Sequence, residues 1–142
     1  MLRSKLKGLT GRLSIHLNDE LVAEVDNLVV TAGIDYVASR MKDATATAMS
    51  HMAIGTGTTA AAVGDTALQT EGGRVALTST TVTNEEVVYV ATFPAGTGTG
   101  AVTEAGILNN STGGTLLCRT VFSVVNKGAA DAMTITWTVT VS

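Results

Sequence analysis

Few residues in this chain combine the type and spacing that chemistry needs. His16 and His51 are its two histidines and Cys118 its one cysteine. A metal centre gathers His, Cys and carboxylate ligands at short spacings, and no such spacing surrounds either histidine. Cys118 lies in an apolar run with no base beside it, so it reads as a buried, inert thiol. One cysteine also excludes an intramolecular disulfide. Gly55-Thr56-Gly57-Thr58-Thr59 has the look of a phosphate-cradling loop. Such a loop needs a Lys followed by Ser or Thr, and no Lys lies between Lys42 and Lys127. Gly96, Gly98 and Gly100 lack the G-x-G-x-x-G spacing and read as a turn-rich loop that uses positive φ. Asn109-Asn110-Ser111-Thr112 matches the glycosylation acceptor twice, but without a secretory signal it reads as a turn with Gly113-Gly114. No carboxylate pair suggests glycoside hydrolysis. The expectation is no enzyme, no metal and no cofactor.

Glu104 is the carboxylate that stands apart. It precedes Ala105-Gly106-Ile107 inside a β pattern, which suits either partial burial with a cationic partner or an exposed role. Arg74 and Arg119, each set in an apolar strand pattern, are the candidates for a structural ion pair with it.

The elements that must position these residues are strands. From Met133 to Ser142, apolar Met133, Ile135, Trp137, Val139 and Val141 alternate with four Thr and a Ser, the period of a half-buried antiparallel strand. Trp137, the single tryptophan, is the expected core anchor, with its indole N–H near a carbonyl. Leu13–Leu17 and Leu21–Asp26 read as a hairpin around Asn18-Asp19-Glu20. Further strands are expected at 50–54, 75–83, 86–93 and in two runs between 104 and 127. Residues 55–74 read as mostly loop, with Asp65 able to cap a short turn. Thr31–Lys42 predicts a helix that Thr31 caps and that buries Ile34, Val37, Ala38 and Met41. The sum is a mainly β chain of about eight strands and one helix. It divides into a basic N-terminal arm, 1–10, and a single domain, 11–142.

Composition agrees. Charged residues are 15%, well below the usual quarter. Threonine, with 24 copies, supplies the missing polarity in a residue that favours strands. So little charge suggests a surface covered by partners. Arg3, Lys5, Lys7 and Arg12 give the first twelve residues a charge of +4, against −7 for the rest. They read either as a solvated basic tail or as an arm that docks on an acidic partner surface, for which they are the candidate interface. Four charges without aromatics do not suggest nucleic acid, and no run approaches a membrane span. The basic start is not followed by an apolar signal stretch, so synthesis in a reducing cytoplasm is expected.

Several stretches together resemble a known family. They are GTGTT-A near residue 55, TAL-(2)-E-(2)-RVALTS, ATFPAGTGTG-(3)-EAGI, GGTLLCRTVF and the terminal TITWTVT. Over roughly residues 50–142 the chain is similar to small bacteriophage virion proteins described as tail-fibre-like or as capsid decoration (cement) proteins. Members often carry Pro in the first loop, where this chain has Ala61. The resemblance implies an antiparallel β-sandwich of jelly-roll type. It also implies a place on the outer capsid surface of a virion assembled in a bacterial host. The partner would be the major capsid protein of the same phage, bound by a homo-oligomer, dimer or trimer. The alternative it implies is a tail-associated adaptor or fibre module for baseplate attachment or host-receptor binding. Contacts are expected from the weakly patterned stretches: 1–12, 43–49, 55–74 and 94–101.

Overall fold

Among the described residues, alternating runs rich in Val, Ile, Leu and Thr build a mainly β fold with one helix. The computed structural model describes residues 8–42 and 47–141. In chain order the elements are β1 (Leu9–Leu17), β2 (Glu20–Val29), α1 (Thr31–Lys42), β3 (His51–Gly55), β4 (Glu71–Ala76), β5 (Ser79–Thr83), β6 (Glu86–Phe93), β7 (Gly100–Leu108), β8 (Leu116–Lys127) and β9 (Met133–Val141). The nine strands form one antiparallel sheet in the order β4-β3-β7-β8-β2-β1-β9-β6-β5.

The sheet folds over at β2. Most of β2 pairs with β1, but Leu28 and Val29 pair with β8. Two halves result, β1-β9-β6-β5 and β8-β7-β3-β4, and they share one core. Leu13, Ile15, Ile135 and Trp137 from the first half meet Met52, Ile54, Ile107 and Cys118 from the second. The β1–β2 turn places Asn18 and Asp19 at φ 50° and 68°, the pair of positive values whose twist suits two-residue hairpins.

Four expectations need correction. The strand expected over 75–83 breaks at Leu77–Thr78, giving nine strands among the described residues. Leu77 N donates to Ser50 O and Thr78 N to Val90 O, so the chain crosses here from one half of the sheet to the other. Leu9 and Thr10, expected in the arm, pair with Val141 and Thr140 in β1, while residues 1–7 lie outside the described residues. The helix has its expected bounds but a different buried face. Gly33 is its buried residue, and Tyr36 and Val37 pack on the core, while Ile34 (53%) and Met41 (84%) stay exposed. Gly33 lies so close to the Leu117 carbonyl of β8 that no Cβ would fit. That close approach sets the rotation of the helix. Finally, Trp137 is fully buried between Leu13 and Tyr89 on the neighbouring strands, but its indole nitrogen has no hydrogen-bond partner.

Candidate functional site

The best-built polar site lies on the outer face of the second half, beneath the segment that joins β3 to β4. Residues 56–70 form a closed loop, with Thr56 N donating to Thr70 O across its base at 3.0 Å. Such compact loops hold their shape through internal packing and are frequently functional.

Glu104 organises this loop. Its Oε2 accepts the backbone N–H groups of Gly57 and Thr70, both at 2.7 Å. Its Oε1 accepts the Gln69 N–H at 2.8 Å and Arg119 Nε at 3.0 Å. Arg119 continues outward: Nη1 donates to Asp65 Oδ2 at 2.9 Å and Nη2 to the Thr59 carbonyl at 3.0 Å. Thr103 Oγ1 donates to Gly57 O at 2.7 Å, and Asp65 Oδ2 also accepts Ala62 N–H at 2.9 Å. Glu104 and Arg119 are 0% and 2% exposed. Burial alone would raise the Glu104 pKa. The N–H groups of Thr70 and Gln69, the Arg119 guanidinium and the Gly57 N–H outweigh it and hold the carboxyl below its usual range.

Glycines on the sheet and in the loop itself make room. Leu68 enters a second, smaller core with Val30, Ala53, Leu108 and Leu116. At Gly106, a Cβ would stand 2.6 Å from Leu68 Cδ1. At Gly57, a Cβ would collide with the Glu104 carboxylate. The polar and apolar anchors of the loop therefore both depend on absent side chains.

Of the two Arg residues considered for Glu104, Arg119 is the partner and Arg74 is not. Arg119 lies on β8, beside β7, whereas Arg74 lies on β4, with β3 between it and β7. Arg74 instead makes a two-pronged pair with Glu71 at 2.9 and 2.7 Å. Its Nη1 also donates to the Asn110 and Gly113 carbonyls, both at 2.9 Å, and so fastens the β7–β8 turn. Asp65 is not the cap of a helical turn; it is the second anion on Arg119. That role had one sequence signal. An Arg inside Leu116-Leu117-Cys118-Arg119-Thr120-Val121-Phe122 must be compensated when buried.

The other singled-out residues are dispersed. Arg12 pairs with Glu24 at 2.7 Å on an exposed surface, while Arg3, Lys5 and Lys7 lie outside the described residues. Cys118 is fully buried, and desolvation pushes its pKa well up. Tyr89 is raised to about 12 by burial, then by the neighbouring Cys118 and Tyr36. His51 Nδ1 and Ser50 Oγ are 2.7 Å apart, part-buried. Among the described residues no group of three or more His, Cys, Asp or Glu is placed to hold a metal ion.

The first half presents a contrasting outer face. An open groove of about 730 Å³ crosses it, lined among others by Arg12, Glu24, Asp26, Thr136 and Thr138. Beyond it β5 ends the sheet, with all five residues exposed, Val82 at 70%.

No family model, no curated protein and no solved structure matches this chain.

Proposed function

We propose that the protein is a structural component of a bacteriophage particle, a cement protein that binds and stabilises the shell of the major capsid protein as a homo-oligomer. The family resemblance of residues 50–142 motivates this reading. One structural observation carries it furthest: the loop 56–70 turns its single charged residue, Asp65, toward Arg119 and its small neutral groups outward. Asp65 and the sheet residues Glu104 and Arg119 are spent on holding it. Thr58, Thr59, Ala60, Ala62, Val63 and Gly64 are left exposed, Val63 at 59%.

A loop already fixed in one shape loses little entropy on docking. Neutral, small side chains cost little to desolvate. Repeated over a symmetric shell, such contacts add through avidity even when each is weak. The neutral edge strand β5 offers backbone groups for further pairing with a neighbour. The basic residues Arg3, Lys5, Lys7 and Arg12 are the proposed contact with acidic patches of the capsid partner. A charge-driven contact of this kind weakens as salt is raised.

Quantitative gel analysis of purified virions tests the proposal. The expected result is a copy number comparable to that of the major capsid protein; a few copies per particle would sink it. A few copies found at the tail would favour the tail-associated reading. The polar groove on the first half supports that second reading, because its hydroxyl, guanidinium and carboxylate groups could orient a host-surface sugar.

A further inference from the structure

Strand β5 ends the sheet and, among the described residues, pairs with β6 alone, so one of its backbone edges is open. All five of its residues, Ser79-Thr80-Thr81-Val82-Thr83, are exposed. An open edge is a template for another strand, and proteins blunt the edges they do not use with charge, proline or a bulge. The opposite end of the sheet is blunted in this way. There β4 carries Glu71 and Arg74, and its pairing with β3 shifts register between Ile54 and Gly55. β5 has neither charge nor proline, and its register with β6 runs without a shift from Ser79 to Thr83. Of the two ends, it is the one left ready to pair.

Its register fixes which groups it offers. Asn84 and Glu85 form the turn, and Thr83 and Glu86 are the first pair of the hairpin. With a two-residue turn that pair exchanges hydrogen bonds. By alternation Thr81 and Ser79 also direct their N–H and C=O groups to β6, whereas Thr80 and Val82 direct theirs outward. Outward-facing residues must meet outward-facing residues on the incoming strand. For a second β5 running antiparallel, the register that overlaps all five residues places a two-fold axis at Thr81. Thr80 then exchanges hydrogen bonds with Val82 of the second copy. Ser79 lies opposite Thr83, and Thr81 opposite its own equivalent. The strand is thus complementary to itself, as an isologous interface requires. The axis carries the two Glu85-Glu86 segments to opposite ends, so no like charges meet. Pairing of this kind also closes, because it uses up the bare edge of each copy.

We propose that β5 pairs antiparallel with β5 of a second copy, with Thr81 on the two-fold axis. The axis stands perpendicular to the sheet, so the open threonine faces of the two copies lie side by side. This inference rests on the homo-oligomeric part of the proposed function and not on the capsid. Five residues bury less than the ~800 Å² per partner of a standard interface. The joint is therefore weak in dilute solution and holds where copies are concentrated.

Disulfide trapping in the purified full-length protein tests it. On the axis, Thr81→Cys occupies a non-hydrogen-bonded pair with Cα atoms about 4.5 Å apart, inside the roughly 4.4–6.8 Å that a disulfide spans. The native Cys118 is buried and does not compete. Under mild oxidation, Thr81→Cys is expected to form covalent dimer at least tenfold faster than Val63→Cys, which is exposed on the loop 56–70. Ser79→Cys and Thr83→Cys each lie ~13 Å along the strand from their own equivalents. Alone, each is expected to react as slowly as Val63→Cys; mixed, they are expected to trap a heterodimer. Val82→Lys, added to Thr81→Cys, is expected to slow trapping at least fivefold at unchanged thermal stability. Trapping of Thr81→Cys no faster than Val63→Cys overturns the pairing, as does trapping that Val82→Lys leaves unchanged. Ser79→Cys reacting alone as readily as in the mixture overturns the register. Virion copy number is read separately, so a failed joint and a failed capsid role are told apart.

Discussion

The two halves of the sheet share one core and differ on their outer faces. On β1-β9-β6 the outer face is left open, and Thr134, Thr136, Thr138 and Thr140 line it half-exposed. On β3-β7-β8 the outer face is roofed by the loop 56–70, and β7 is buried on both sides from Val102 to Leu108. The difference follows from side-chain choice. A threonine row satisfies its own hydroxyls with water or each other, as Thr92 Oγ1 and Thr134 Oγ1 do at 2.9 Å. A row of Glu104, Gly106 and Leu108 needs a cover, because it offers a carboxylate beside a gap and an apolar side chain. The covered face can therefore hold a loop in one shape, whereas the open face can only present its own side chains.

This contrast can be broken at three depths. Trp137→Ala removes the largest fully buried side chain of the shared core and is expected to cost ~3–5 kcal/mol. Denaturant melts should show both halves lost in a single transition; a mutant that melts like the parent would refute the anchor role.

Glu104→Gln should separate the halves. It leaves Arg119 buried without its full charge partner, a loss of about 3 kcal/mol when a buried pair is broken. Hydrogen exchange should rise at Gly57, Gln69 and Thr70 while the β1–β9 ladder stays protected. The same contact has a pH signature. The folded carboxyl titrates below its unfolded value of about 4.3. Its stabilisation is therefore complete above that value and is lost as pH falls through the depressed folded one. In Glu104→Gln this part of the acid dependence should vanish; an unchanged acid profile would refute the assignment.

Thr138→Val on the open face should change stability by less than ~0.5 kcal/mol, within the range of ordinary surface substitutions. A larger loss in thermal melts would mean that the threonine row is structural rather than a solvated face.

Legibility in the sequence followed the range of the interaction involved. The strict alternation of Met133–Val141, the helix bounds at Thr31 and Lys42 and the Asn18-Asp19 turn are local patterns, set by backbone geometry a few residues wide. Glu104 was legible as a carboxylate out of place, and so was the need for an arginine. Choosing Arg119 over Arg74 needed the strand order, since both sit in similar apolar runs. Asp65, Leu68 and Thr103 were invisible as a unit because their shared role arises only when the loop closes over β7. The helix face was misjudged for a related reason. Periodicity identifies the apolar stripe of Ile34, Val37, Ala38 and Met41, but the close approach of Gly33 to β8 decides which side is buried.

The chain by itself thus determined a mainly β fold, its local turns and one helix. These depend on residue type and spacing along a line. Only the tertiary structure decided which arginine meets Glu104, which face of α1 stays open and which half of the sheet is roofed. Those outcomes depend on strand order and on close contacts between residues distant in sequence, and no local pattern encodes them.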